Sequence, residues 1–190
     1  MNTLFPIFVK LDKINTLVVG GGNVGLEKLE ALLANSPEAK IELVAPVIKD
    51  EIIAFKSEHP NLILNFRNFE WDDLNDKDLV ICATDNRMLH KNIYSIAKRR
   101  KILINVADTP ELCDFYLSSI VKKGDLKIAI STNGKSPTFA KRLKETLNEA
   151  LSGENINELL ESLGKFRDKL KGDFNEKVKA LNELTKSLGT

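Results

Sequence analysis

The sequence predicts an α/β protein built on a parallel sheet, and two observations lead to this prediction. From residue 14 onwards, short β-branched runs alternate with longer segments in which apolar residues recur at helical spacing. Parallel strands need crossover connections, usually helices, and this alternation supplies them. After Val106 the pattern changes to two shorter strand-like runs and then to continuous helix, which indicates a second, smaller unit.

Five parallel strands are expected, at residues 16–19, 40–45, 62–66, 79–83 and 102–106. Helices are predicted after the first and fourth strands, at residues 24–33 and 86–100, because apolar residues recur there on one face. The mostly polar connection at residues 67–78 predicts only a turn. The sheet therefore occupies roughly the first 112 residues.

The second unit begins with predicted strands at 115–121 and 127–131, joined by a Lys-Gly-Asp turn. Beyond Pro137 the chain is predicted to be helical, with breaks at Ser152-Gly153 and Gly172-Asp173. Two apolar stripes follow these breaks: Leu159, Leu163, Phe166 and Leu170, then Phe174, Val178, Leu181, Leu184 and Leu188. They fit a helical hairpin that buries its own faces or an oligomer contact, and the sequence does not choose between these.

The composition limits the classes of partner. The chain has 28 basic and 27 acidic residues, a formal charge of +1, so it has no overall electrostatic footprint for nucleic acid or an anionic membrane. Cys82, Cys113, His59 and His90 form no metal-ligand spacing, and no resident metal is expected. Without a spanning apolar run or a signal-peptide pattern, the protein is expected in the cytoplasm.

A glycine motif follows the first predicted strand. In LVVGGGNVGLEKL, Gly20, Gly22 and Gly25 have the spacing G-x-G-x-x-G at the opening of the first helix. Glycine allows a tight turn and a close approach of the backbone to a pyrophosphate at the helix N-terminus. The context predicts a Rossmann-like dinucleotide-binding sheet with strand order 3-2-1-4-5; the alternative is a tight turn without a ligand.

The acid that usually binds the adenosine ribose is missing from the tip of the second strand, which ends Ala45-Pro46. Glu42 lies in mid-strand and is expected to point elsewhere, while Lys49 is the nearby cation. The residues alone therefore predict that a dinucleotide binds but do not show whether it is NAD or NADP.

Two further loops follow predicted strands at the same edge of the sheet. After the fourth strand, Thr84 and Asp85 are expected near the cofactor, and either is also a candidate N-cap of the next helix. After the fifth strand come Asn105 and Asp108, and a carboxylate beside a nicotinamide can accept a proton as hydride leaves a substrate. Alternatively, Asp108 or Thr109 caps a turn that begins at Pro110.

The stretch STNGKSPTFAKRL contains Gly-Lys-Ser but is not a phosphate loop, because Ala129 stands where the first glycine of that motif is required. Ser136 and Pro137 instead predict a helix start.

Cations follow this helix start, namely Lys135, Lys141, Arg142 and Lys144, although the helix dipole disfavours positive charge there. Either a polyanionic ligand compensates them, or they are solvated and offset by Glu145 and Glu149.

Five segments together resemble one family, the precorrin-2 dehydrogenase and sirohydrochlorin ferrochelatase proteins of siroheme synthesis. The segments are FPIFVKL at 5–11, LVVGGGNVGLEK at 17–28, CATDN at 82–86, NVADTPELCDF at 105–115 and ISTNGKSPTFAKRLKE at 130–145. The resemblance implies NAD-dependent oxidation of precorrin-2 to sirohydrochlorin and, in bifunctional members, insertion of Fe²⁺. It also implies a homodimer with a Rossmann domain at 1–112, a dimerisation and tetrapyrrole-cleft region at 113–150 and a helical region at 151–190.

The resemblance also assigns roles to individual residues and favours catalysis for Asp108. The implied cofactor contacts are Gly20, Gly22, Asn23, Val24, Gly25, Pro46, Val47, Thr84, Asp85 and Asn105. The expected contacts to the carboxylate-rich substrate are Thr132, Lys135, Ser136, Lys141 and Arg142. The competing hypothesis is an NAD-sensing regulatory module without catalysis, although such modules usually keep the acid that this chain lacks.

Overall fold

The structure is a computed structural model that describes residues 2–152, 155–171 and 173–186, without the side chain of Leu184. The chain divides into two compact units, one ending at Leu117 and the other beginning at Ser118. Each unit is described by itself.

The first unit is built on a five-stranded parallel sheet. Its strands are β1 Asn15–Gly21, β2 Lys40–Ile48, β3 Leu62–Phe66, β4 Leu79–Cys82 and β5 Leu103–Val106. They pair in the order β3-β2-β1-β4-β5, and every neighbouring pair is parallel. The predicted fold class and strand order are therefore confirmed.

Three α-helices connect these strands: α1 Asn23–Asn35, α2 Asp50–Glu58 and α3 Arg87–Arg100. The sequence predicted α1 and α3 but not α2. This helix is short and buries only Ile52, so its apolar periodicity is weak. The polar connection before β4 holds one 3-10 turn, Trp71–Leu74.

The core lies on both faces of the sheet because neighbouring residues of β1 point to opposite sides. On one face Val18 packs with Leu29 of α1 and Ile52 of α2. On the other face Leu17 packs with Ile93 of α3. Because the strands are parallel, the glycine turn at the end of β1 lies at the edge where the carboxyl ends of all five strands meet.

The second unit begins with an antiparallel hairpin of β6 Ser119–Lys123 and β7 Leu126–Ile130. Gly124 opens its tight turn with a φ of +55°, which suits glycine. Three helices follow: α4 Pro137–Ala150, α5 Ile156–Lys169 and α6 Phe174–Thr185.

The predicted start of the first hairpin strand at residue 115 is wrong, because β6 begins only at Ser119. Residues 115–117 belong to the first unit. The carbonyl of Phe115 accepts a hydrogen bond from Asn105 at 2.8 Å, and the side chains of Phe115 and Leu117 pack against the core of the sheet. Apolar character at these positions reflects core packing rather than strand pairing.

The two C-terminal helices are amphipathic as predicted, but their apolar faces are only partly covered. In the described parts of α5 no side chain is fully buried, and Phe166 and Val178 remain 39% and 37% exposed. Gly153, Gly172 and Leu188, together with the side chain of Leu184, lie outside the described residues. Among the described residues, no helix combines the length and the apolarity needed to cross a membrane.

Candidate active site

The glycine turn after β1 is shaped by two close approaches within the chain. Gly20 has a φ of +121°, and a Cβ there would lie 2.5 Å from the carbonyl oxygen of Ala83. A Cβ on Gly25 would lie 2.1 Å from the carbonyl oxygen of Gly20. The first glycine therefore lets β1 approach the loop after β4, and the third lets α1 pack onto the turn.

Gly22 has no such internal reason to be glycine. Its φ is −86°, which any residue can adopt, and no described atom lies within 4 Å of a Cβ built there. Gly22 is the N-cap of α1, where neither a side-chain cap nor an acidic residue in the first turn is found. The N-terminus of α1 is thus open to an anion that approaches the backbone closely.

The tip of β2 lies beside this turn, and Lys49, which follows the strand, makes several polar contacts there. The backbone N–H of Lys49 donates to the carbonyl of Gly21 at 3.0 Å. The Nζ atom of Lys49 lies 2.8 Å from Oδ1 of Asn23 and 3.0 Å from Oε1 of Glu51. The lysine ammonium is therefore engaged by two oxygens at the point where an adenosine ribose binds in such folds.

Other predicted residues at this end have clear surroundings. Pro46 and Val47 are exposed on the last part of β2, and Val24 is half-buried. The Glu42 carboxylate accepts hydrogen bonds from Asn65 at 2.6 Å and from Lys77 at 2.7 Å. The carboxylate of Glu42 is therefore bound to Asn65 and Lys77 and lies in mid-strand, as expected.

The loop after β4 corrects the predicted N-cap of α3. Asn86, not Thr84 or Asp85, caps the helix, because its Oδ1 accepts the backbone N–H of Leu89 at 3.0 Å. The hydroxyl of Thr84 instead accepts the N–H of Asn86 at 3.2 Å and lies 2.8 Å from Nε2 of His90. Asp85 is exposed.

The loop after β5 presents Asp108 in an unusual conformation. Its φ is +56°, in the left-handed region, and its side chain is exposed. Within the described chain no hydrogen bond or ion pair engages this carboxylate. Thr109 is the N-cap of the 3-10 turn Pro110–Leu112 without a side-chain cap, and its hydroxyl donates to the carbonyl of Ala107. Thr109 therefore occupies the predicted N-cap position without a capping bond from its side chain, and Asp108 does not cap the turn.

Contacts between its two ends hold the Asp108 loop closed. The amide Nδ2 of Asn105, a residue only 6% exposed, donates to the carbonyl of Phe115 at 2.8 Å. The thiol of Cys113 donates to the carbonyl of Val106 at 3.2 Å, and burial raises the pKa of this thiol. The carboxylate of Asp114 accepts the N–H of Ile104 at 3.2 Å and pairs with Lys98. Asn105, predicted as a cofactor contact, thus uses its amide nitrogen for a hydrogen bond that closes the loop.

Strand order brings the three loops together. The chain passes from β1 outwards to β2 and β3 and then returns to β4, so the switch point of the topology lies between β1 and β4. Gly20 lies at the carboxyl end of β1, and Thr84 and Asp108 follow β4 and β5, so the three residues lie at the same end of three adjacent strands. Ligands of open α/β sheets bind in this crevice.

In the second unit, the loop before α4 is organised by short hydroxyl contacts. The hydroxyl of Thr132 accepts the backbone N–H of Ser136 at 3.2 Å, and the Ser136 hydroxyl accepts that of Phe139 at 3.1 Å. Ser136 is the N-cap and Pro137 the first residue of α4, as predicted.

The predicted cations around this loop form no ion pair within the described part of the chain. Lys135, Lys141 and Arg142 are exposed, and in the described chain none of them forms an ion pair with Glu145 or Glu149. The exposure of these cations agrees both with a polyanionic ligand and with the alternative that they are solvated, and direct pairing with the two glutamates is not observed.

Sequence reasoning missed His90 and the contacts of Lys49. His90 is 3% exposed and belongs to the buried face of α3 together with Ile93 and Ala97. Its spacing of three residues from Ile93 was the available signal, but a histidine on an apolar face is easily overlooked in a periodicity count.

Comparisons with known proteins agree with this geometry. A family described as putative NAD(P)-binding matches residues 7–119, and a second, described as sirohaem biosynthesis protein central, matches residues 123–150. The chain belongs to the NAD(P)-binding family. It therefore contains a domain for a nicotinamide dinucleotide, and the resemblance to siroheme-synthesis proteins is confirmed.

Individual relatives agree with this membership. The chain is 38% identical over 181 residues to a siroheme synthase of Psychrobacter cryohalolentis and 39% identical over 169 residues to one of Pseudoalteromonas translucida. These matches cover 95% and 89% of this chain but 33% and 35% of the relatives, so the chain spans about a third of their length. SirC, a precorrin-2 dehydrogenase, shares the fold, with a TM-score of 0.75, 24% identity and coverage of 95% of this chain and 89% of SirC.

Proposed function

We propose that this chain uses NAD⁺ to oxidise precorrin-2 to sirohydrochlorin. The observation that carries the proposal is Asp108, an exposed carboxylate without a partner in the described chain, held at a φ of +56° at the ligand-binding edge of the sheet. A strained backbone at such an edge often marks function. Relatives named siroheme synthase and a fold neighbour named precorrin-2 dehydrogenase indicate the substrate.

The residues at the glycine turn fit a dinucleotide. The uncapped N-terminus of α1 favours an anion, and Gly22 leaves the backbone accessible. When bound, the nicotinamide supplies a hydride acceptor. We retain as cofactor contacts the residues predicted from the sequence, namely Gly20, Gly22, Asn23, Val24, Gly25, Pro46, Val47, Thr84, Asp85 and Asn105.

Charge at the tip of β2 favours NAD⁺ over NADP⁺. The first turn of α2 contains Asp50 and Glu51, and Glu51 pairs with Lys49. The backbone N–H at Glu51 and the hydrogen bond from Lys49 lower the pKa of Glu51, so it is ionised at neutral pH. A 2′-phosphate would meet two carboxylates and a lysine that is already paired.

The reaction removes one hydride and one proton from precorrin-2. As the hydride leaves, a carbon or nitrogen atom of the tetrapyrrole ring loses a proton. The Asp108 carboxylate accepts this proton. In the second unit, the exposed Lys135, Lys141 and Arg142 are suited to the substrate carboxylates, while Thr132 and Ser136 hold the loop that presents them.

An Asp108→Asn variant tests the catalytic assignment. The change keeps the shape of the side chain and removes the base, so NAD⁺ binding should persist while formation of NADH and of the sirohydrochlorin chromophore falls at least about a hundredfold. A variant that binds NAD⁺ and oxidises precorrin-2 at the original rate would disprove the role. A wild-type chain that binds NAD⁺ but leaves authentic precorrin-2 unchanged would instead support the sensor alternative.

A Glu51→Gln variant tests the cofactor preference. Removing this charge frees Lys49, so we expect NADP⁺ affinity to rise several-fold with little change for NAD⁺. Glu58→Gln, at the other end of α2, is the matched control and should alter neither affinity. Equal affinities of the wild-type chain for NAD⁺ and NADP⁺ would contradict the proposal.

Insertion of Fe²⁺ is the second activity that the resemblance implies. The described residues contain no group of three or more His, Cys, Asp or Glu placed to hold a metal. Iron would enter as a substrate bound by the macrocycle nitrogens, with Asp108 accepting the pyrrole protons. Adding Fe²⁺ or Co²⁺ to the purified chain and sirohydrochlorin, with Asp108→Asn as the comparison, measures this activity directly.

We also propose that the chain is a homodimer in which the region 113–150 supplies the main contact and the region 151–190 adds to it. The partly covered faces of α5 and α6 support this, because Leu160, Phe166 and Phe174 are 37%, 39% and 80% exposed. Light scattering should give twice the mass of the 21.3 kDa chain. A single-chain mass at micromolar concentration would refute the dimer and leave the reaction unaffected.

A further inference from the structure

His90 is a buried histidine at the ligand-binding edge that the proposed chemistry does not use. It lies one turn into α3, where its backbone N–H donates to the carbonyl of Asn86 at 3.1 Å, and it is 3% exposed. Burial lowers the pKa of its imidazole, while the nearby Asp85 acts in the opposite direction. The ring is therefore neutral at physiological pH and offers one donor and one acceptor nitrogen.

Within the described residues, the side chain of His90 makes one directed polar contact, to Thr84. Its Nε2 lies 2.8 Å from the Thr84 hydroxyl, which also accepts the backbone N–H of Asn86 at 3.2 Å. Two groups of the chain thus fix the position of a hydroxyl that sits in a loop and is only half-buried. An unsupported threonine would rotate about its Cα–Cβ bond.

The fixed hydroxyl belongs to the loop that packs on the glycine turn. The backbone N of Thr84 lies 3.1 Å, and the carbonyl oxygen of Ala83 2.5 Å, from the place where a Cβ of Gly20 would stand. Thr84 follows β4 and Gly20 is the next-to-last residue of β1, so the two residues flank the switch point of the sheet. A dinucleotide that crosses this point would pass the loop that carries the hydroxyl.

We propose that His90 is a positioning residue for the nicotinamide dinucleotide and acts by orienting the Thr84 hydroxyl. A hydroxyl has one hydrogen and two acceptor sites, and the N–H of Asn86 already uses one acceptor site. When Nε2–H of His90 donates to the other, the O–H of Thr84 is left to donate to an oxygen of the cofactor. Ribose and pyrophosphate oxygens are acceptors, so this arrangement matches them.

This inference rests on the proposed cofactor, and a double-mutant cycle with Thr84→Val and His90→Leu tests it. Binding of NAD⁺ and NADH to the full chain is measured by calorimetry and fluorescence, without tetrapyrrole. Each single variant should weaken binding about five- to tenfold, the range for loss of one oriented hydrogen bond. The double variant should be no weaker than the weaker single variant, because both changes remove the same interaction.

Steady-state kinetics separate positioning from a general structural role. In His90→Leu the KM for NAD⁺ should rise while kcat stays near its original value, and His90→Gln, which restores an N–H donor, should recover part of the affinity. Additive losses in the cycle, or unchanged binding in His90→Leu, would overturn the inference. If His90→Leu does not fold, His90→Gln replaces it in the cycle, and its partial loss of NAD⁺ affinity should disappear in the Thr84→Val background.

Two matched controls fit this experiment. His59→Leu removes a histidine whose ring nitrogen lies 3.2 Å from the carbonyl oxygen of Pro37, and Thr16→Val removes a threonine hydroxyl in the core. Neither should change cofactor affinity. A wild-type chain that binds no nicotinamide nucleotide would refute the proposed function itself, whereas normal binding and turnover with an inert His90 would refute only this inference.

Discussion

Asp108 combines a left-handed backbone, which opposes stability, with an exposed carboxylate that has no partner in the described chain. A non-glycine residue at such a φ costs about 1 kcal/mol relative to glycine. Asp76 has the same φ of +56° and is also exposed, but it lies before β4, at the opposite end of that strand from the loop carrying Thr84. The two residues therefore form a natural pair for separating strain from function.

We expect Asp108→Gly and Asp76→Gly each to raise the free energy of unfolding by about 0.5 to 1 kcal/mol, because glycine relieves the strain. Only Asp108→Gly should abolish precorrin-2 oxidation. Urea denaturation and NADH formation measure the two effects. Full activity in Asp108→Gly would show that the strained residue has no catalytic role.

Thr16 carries the one buried side-chain polar atom without a hydrogen-bond partner in the described part of the chain. It lies at the start of β1 and is 1% exposed. Replacement by valine removes the unsatisfied hydroxyl and keeps a β-branched shape, so Thr16→Val should raise the stability by about 1 kcal/mol. A lower urea midpoint in Thr16→Val would contradict this assignment.

At the scale of elements, the 3-10 turn Trp71–Leu74 depends on an ion pair between the buried carboxylate of Asp73 and the partly exposed guanidinium of Arg67. Arg67 donates through both Nη atoms to Asp73, whose side chain is 5% exposed, and the N–H of Glu70 also donates to it. Burial alone would raise the pKa of Asp73, but these hydrogen bonds outweigh burial and leave the pKa below its ordinary value of 3.8. This pair therefore stabilises the fold above about pH 3.8 and less so in acid.

We expect Arg67→Met to lower the urea midpoint strongly at pH 7 and much less at pH 3. The variant leaves a buried carboxylate uncompensated at pH 7, whereas protonation removes that charge in acid. Arg100→Met, which removes an exposed hydrogen bond to Asn75, is the control and should change the midpoint little at either pH. A loss that is equal at both pH values would exclude a charge effect.

Elements differ in how far the sequence predicted them. The strands and α1 and α3 were predictable because their buried faces impose clear periodicities, such as Leu29, Leu32 and Leu33 on α1. The short α2 escaped detection because it buries only Ile52. The apolar run at 115–121 suggested a strand, yet its first residues serve the core of the sheet.

At the scale of the whole molecule, positive and negative charges nearly balance, but a group of cations lies at the start of α4 in the second unit. The triple variant Lys135→Gln, Lys141→Gln and Arg142→Gln should raise the KM for precorrin-2 about tenfold or more, since three cations that face solvent are lost for a polycarboxylate. NAD⁺ affinity should not change.

The matched control neutralises Lys169, Lys171 and Lys179, three exposed lysines of the same unit, and so changes the net charge equally. An equal rise of KM in this control would indicate a general charge effect. An unchanged KM in the first triple variant would exclude these cations from substrate binding.

The sequence by itself determined the parallel sheet, the glycine turn and the helix start at Ser136, because each depends on residues close together along the chain. It also placed Thr84 and Asp108 at one edge, since parallel strands end on the same side. Only the tertiary structure decided what those residues do locally: Asn86 caps α3, His90 orients Thr84, and Asp108 has no partner within the described chain. These outcomes depend on distances between separate elements and on backbone dihedral angles, which no local pattern encodes.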